Sequence, residues 1–131
     1  MSRIALALLA FSVSITPAKA ETEVPAAEAI GLQAAMQRHI EANLVDGALL
    51  HIDPVTGIVQ SFYPAKAHPK IMQVGPYYYL CANFRDDAGT EVMVNFYVAK
   101  QSGKYVFFHT LFGEDEAFEA QFEKHAAQPA N

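Results

Sequence analysis

A thiol, an imidazole and a side-chain amide are the parts of a cysteine nucleophile, its base and the group that orients the base. The sequence offers one such set: Cys81, the only cysteine in the chain, with His109 and Asn95. All three fall in stretches that read as β-strand. Nucleophiles of this kind gain from a helix N-terminus or an exposing loop that favours the thiolate, and mid-strand residues have neither. The competing reading is a buried thiol, a hydrogen-bonded amide and a core histidine, because free cysteine is among the most buried residue types. A single cysteine excludes an intramolecular disulfide and leaves a homodimer linked through Cys81 open.

Other residues with chemical capacity are scattered. His39, His51, His68 and His125 have no spacing of the His-x-x-x-His kind, so no metal site is expected. Lys66, His68 and Lys70 alternate within a stretch from Pro64 to Pro76 that contains three prolines. Read as a long loop, this stretch has the spacing to hold a carboxylate, a phosphate or an acidic patch on a partner, or it is simply a solvated loop. The acidic run Glu114-Asp115-Glu116 is expected to cap a helix. No cofactor fingerprint is present.

Positioning these groups falls to a small set of elements. Residues 25–44 read as a helix: Ala29, Leu32, Met36, Ile40 and Leu44 recur at three- and four-residue steps, Pro25 suits the first turn, and Gly47 is the expected stop. Residues 48–52 and 58–63 form a hairpin around Asp53-Pro54-Val55-Thr56-Gly57. Three further strands follow the 64–76 loop, at 77–85, 91–99 and 105–112, and a short helix closes the chain at 114–126. Consecutive strands with short turns pair antiparallel. The fold class is α+β: an N-terminal helix, a five-stranded antiparallel meander and a C-terminal helix, with the helices on one face. This order is similar in layout to cystatin-like and NTF2-like folds, in which a helix lies across an antiparallel sheet.

Period-two sorting gives the sheet two unusual faces. Tyr78, Leu80, Ala82 and Phe84 share one face with Val92, Val94, Phe96 and Val98, the expected core. A loop of Asp87-Ala88-Gly89 pairs Arg85 with Glu91 and Cys81 with Asn95. A three-residue loop Gln101-Ser102-Gly103 would pair Val98 with Val106, Phe96 with Phe108, Tyr97 with Phe107 and Asn95 with His109; a two-residue Ser102-Gly103 turn is the competing register. In the favoured register Cys81, Asn95 and His109 lie side by side on the second face, ringed by Tyr77, Tyr79, Met93, Tyr97, Tyr105 and Phe107. Such a face suits a ligand, a partner or cover by the second helix.

The first 20 residues read as a cleavable signal peptide: Arg3, an uncharged run from Ile4 to Ile15, Pro17, and the Ala18-Lys19-Ala20 ending. The 12-residue apolar run is too short to anchor in a bilayer. The expected product is a single domain, 21–131, in the bacterial periplasm. Loss of Arg3 and Lys19 leaves 7 basic and 14 acidic residues, a formal charge of −7, which argues against nucleic acid and anionic lipid. Three functions are consistent with these residues. The first is a non-enzymatic binding or accessory protein using the aromatic face (Tyr77, Tyr79, Tyr97, Tyr105, Phe107) and the Lys66/His68/Lys70 loop on a protein partner. The second is a cup between helix and sheet for a small apolar ligand, and the third is a cysteine-dependent enzyme.

Overall fold

A computed structural model of the chain describes residues 21–126; the expected signal segment and the tail at 128–131 lie outside the described residues. The elements run β1 (Glu21–Glu23), α1 (Ala26–Ala42), β2 (Leu49–Ile52), β3 (Val59–Val74), β4 (Tyr77–Arg85), β5 (Glu91–Gln101), β6 (Lys104–Phe112) and α2 (Glu116–Ala126). The α+β architecture is the expected one, with β2 to β6 as the antiparallel meander. The unexpected β1 adds to it by pairing with the end of β3, Glu21 opposite Val74. Three residues with little apolar character give no strand signal alone. Among the described residues no helix is long and apolar enough to cross a membrane.

Helix α1 begins where the carbonyl of Pro25 accepts the amide of Ala29 at 2.9 Å. It buries Leu32, Met36 and Ile40 against the sheet. It stops at Ala42, five residues before Gly47: the Asn43 side chain donates to the carbonyl of His39 at 2.7 Å and satisfies an orphan acceptor of the last turn. Asp46 and Gly47, at φ of 51° and 83°, instead form a separate tight turn between Val45 and Ala48.

The β2–β3 hairpin forms as expected, with Leu49 opposite Phe62 and Ile52 opposite Val59. Its turn is built by Asp53, whose carboxylate accepts the amides of Val55 and Thr56 at 2.8 and 3.0 Å; these bonds hold the carboxyl below its ordinary pKa. The expected loop from Pro64 to Pro76 is not a loop. Strand β3 continues to Val74, and its ladder with β4 shifts register between Pro64 and Lys66 and again between Ala67 and Ile71. Proline lacks the ladder donor, so the strand accommodates Pro64 and Pro69 at irregularities instead of ending.

Strands β4 and β5 pair in the expected register, Arg85 with Glu91 and Cys81 with Asn95. Tyr78, Leu80, Ala82, Phe84, Val94, Phe96 and Val98 are buried in the core beneath α1. The favoured β5–β6 register is overturned. Ser102 and Gly103, at φ of 51° and 76°, make a two-residue turn that pairs Gln101 with Lys104 and Val98 with Phe107. Left-handed φ at both turn positions matches the twist of the flanking strands, which a longer loop would not improve. The register then slips by one, so that Tyr97 meets His109 and Phe108 is left without a partner in the ladder. Tyr105 and Phe107 therefore pack on the core side, and Val106 and Phe108 remain about half exposed. The expected Val98–Val106 and Phe96–Phe108 pairs do not form.

The helices lie on opposite faces of the sheet rather than on one. Asp115 caps α2 by accepting the Phe118 amide at 2.9 Å. Phe118 and Phe122 then pack edge-on against Tyr97, with ring centroids 5.6 and 4.7 Å away. On the α1 side, Phe96 is fully buried between rings of Phe84, Phe107 and His39. Phe96→Ala is expected to lower the unfolding free energy by about 3–5 kcal/mol, read from the urea midpoint at unchanged slope.

Candidate functional site

The β5–β6 slip dissolves the expected catalytic row. Cys81 faces Asn95, but Leu111, not His109, lies beside Asn95. His109 belongs to the next row, opposite Tyr97, and its ring stacks on Phe118 at 5.1 Å. The Asn95 amide donates to a carboxylate oxygen of Glu119 at 3.1 Å, so it orients no imidazole. Burial, reinforced by the Glu119 charge, pushes the Cys81 thiol up to about 11. A thiol in that state is not a ready nucleophile.

The aromatic second face is covered by α2. Tyr97 is buried there, Tyr77 touches Phe122 and Phe108 at 6.1 and 5.4 Å, and Tyr79 sits beside Tyr97 at 6.2 Å. Two recesses remain beside α2: one of about 400 Å³ between Tyr77, Phe118, Phe122 and His125, and one of about 280 Å³ between Tyr79, Cys81, Asn95 and the acids Glu114, Glu116 and Glu119. The Lys66/His68/Lys70 trio is likewise not a joint site. His68 is held by β4 and α1, its ring nitrogen 2.8 Å from the side-chain Oδ1 of Asn83 and its backbone carbonyl accepting from the Gln33 side chain at 2.6 Å. Lys66 and Lys70 are exposed on either side of a register shift.

The recess that does bring functional groups together opens between α1 and β6. It measures about 610 Å³, within the range of small-molecule sites. Gly31, Ala34 and Ala35 form the helix wall, and Tyr105 and Phe107 form the strand wall. The helix wall carries small side chains here, and at Gly31 the Tyr105 ring comes so close that an added Cβ would stand in ordinary contact with it at 3.6 Å. His39 closes the inner end, stacked on Phe107 at 4.3 Å with the rings 8° from parallel. Arg38 and Lys104 complete the lining, one from each wall.

The wall is anchored from behind. The Tyr78 hydroxyl donates to Glu28 at 2.8 Å, and Lys100 reaches the same oxygen at 3.3 Å while lying over the Tyr105 ring. The Tyr78 bond, with help from Lys100, holds the Glu28 carboxyl below its ordinary pKa, and burial with the Glu28 contact pushes Tyr78 up to about 12. Sequence reasoning named Tyr105 and Phe107 but put them on the wrong face. It missed Gly31, Ala34, Ala35 and Arg38, whose three- and four-residue spacing alongside the apolar stripe was the available signal.

A second surface feature is the β2–β3 hairpin. Ile52, Val55, Ile58 and Val59 are more than half exposed, and Leu50 nearly so. Between this hairpin and the β4–β5 turn lies a trough of about 650 Å³ rimmed by Asp53, Asp86 and Asp87. Among the described residues no three His, Cys, Asp or Glu side chains are grouped to hold a metal ion. Compared with protein families, curated proteins and solved structures, the chain has no match, so the reading of the site rests on its own geometry.

Two outcomes check this geometry. The Cys81 thiol is expected to react with a disulfide reagent at pH 8 at least a hundredfold slower in the folded protein than in denaturant. Burial lowers the His39 pKa from 6.5, so the unfolded chain binds that proton more readily. Stability linked to His39 is full above pH 6.5 and is lost as pH falls from there through the lower folded value. Melting curves from pH 7.5 to 5 are expected to show this loss, and His39→Gln to flatten it.

Proposed function

We propose that this protein is an exported binding protein that holds a small apolar or aromatic molecule in the cleft between α1 and β6. The observation that carries the reading is the cleft itself: about 610 Å³, walled by Tyr105 and Phe107 on one side and by the small residues Gly31, Ala34 and Ala35 on the other. An aromatic wall facing the small residues Gly31, Ala34 and Ala35 leaves room for a flat or branched body and offers it ring contacts. The cover of the aromatic second face by α2 supports the same reading, because it removes the surface on which partner binding was first expected. Export is the companion proposal. It rests on the Arg3, Ile4–Ile15 and Ala18-Lys19-Ala20 pattern and places the mature N-terminus at Glu21 in a bacterial periplasm.

A second reading is favoured by the exposed apolar hairpin. There the protein is an accessory module that docks a protein partner through Leu50, Ile52, Val55, Ile58 and Val59. Scattered exposed apolar residues need no explanation, but five within ten positions do.

The cleft reading is tested with N-phenyl-1-naphthylamine, a neutral apolar dye that brightens when it leaves water. Saturable fluorescence enhancement at one site is expected. Ala34→Trp, a change at an exposed position of the helix wall, is expected to abolish it with the melting temperature unchanged. Saturable binding that persists in Ala34→Trp would place the ligand elsewhere.

A further inference from the structure

Resting on the cleft reading, we infer that the ligand carries an anionic head, a carboxylate on an aromatic or branched apolar body. The chain has 14 acidic and 9 basic residues, yet the cleft is lined by Arg38 and Lys104 and by no acid. The trough at the hairpin and the recess under α2 show the reverse, with three Asp and three Glu respectively. Arg38 and Lys104 have no carboxylate partner among the described residues, whereas Arg85 and Lys100 are paired with Glu91 and Glu28. Lys100 approaches the same wall over the Tyr105 ring, but its charge is met by Glu28. Two unpaired cations thus stand on opposite walls of one aromatic cleft in an acidic protein.

This arrangement has a defined chemical complement. A ring placed between the Ala34–Ala35 wall and the Tyr105 and Phe107 rings gains apolar contact and edge or offset stacking. A carboxylate at the rim accepts from the Arg38 guanidinium, whose planar fork matches it bidentately, and from the Lys104 ammonium on the other side. The rim is open, so an anionic head keeps part of its hydration while the body is buried. A cationic ligand of the same shape would meet two like charges.

The test is a matched pair of probes, naphthalene-1-acetate and its neutral amide, titrated into the full-length mature protein by calorimetry at low salt. The carboxylate is expected to bind at least tenfold more tightly than the amide, and added salt to narrow the gap. Arg38→Gln and Lys104→Gln, both at exposed positions, are expected each to weaken the carboxylate about tenfold and the amide much less. Equal affinity of the two probes, lost together in Ala34→Trp, would overturn the anionic head and leave the cleft reading standing. Binding of both probes that is indifferent to Ala34→Trp, or no binding of either, would overturn the two together.

Discussion

Strands β4 and β5 carry large apolar side chains on both faces, and burying both at once is the constraint on which the rest of the molecule depends. Phe84, Leu80 and Phe96 point one way, Tyr79 and Tyr97 the other. Each large side chain removed from water contributes about 1.5–3 kcal/mol, so leaving either face open would forfeit much of the stability of a small domain without a disulfide. One helix cannot cover two faces. The chain meets the constraint with α1 on the first and α2 on the second, where Tyr97 is buried against Phe118 and Phe122.

The geometry of β6 follows from the same constraint. After the tight Ser102-Gly103 turn, an uninterrupted ladder would carry His109 to the α1 side. The one-residue slip at Phe108 returns His109 to the α2 side, where it stacks on Phe118, while Tyr105 and Phe107 stay with α1. That slip gives the strand two halves with different loyalties. The first half forms the wall of the cleft, and the second half helps seat α2. The small residues of α1 at 31, 34 and 35 face that first half, and a cleft remains between them and the Tyr105 and Phe107 rings.

Much of this was legible from pattern. The apolar stripe of Leu32, Met36 and Ile40 announces α1, the Asp53 turn announces the hairpin, and the alternation through Tyr78–Phe84 and Val92–Val98 fixes the β4–β5 register. What escaped has local causes. Pro64 and Pro69 signal a loop in sequence, yet a strand can carry them at register shifts. The two-residue turn decided the faces of Tyr105 and Phe107, and the slip at Phe108, which leaves no compositional trace, decided that of His109. The site was harder still, because its defining helix residues are Gly and Ala, whose contribution is the space they leave. Arg38 on the solvent side of a helix gave no hint that Lys104 would stand across from it.

The described residues thus present, among other surfaces, a cationic aromatic cleft, an acidic recess under α2 and an apolar hairpin. We propose that the first holds the ligand. Amide chemical-shift mapping of the isotope-labelled protein with naphthalene-1-acetate tests that assignment most directly. The account predicts perturbations concentrated at residues 31–39 and 103–107, on facing elements. Perturbations concentrated at the hairpin, residues 50–59, or at 114–126 with α1 unmoved, would contradict it.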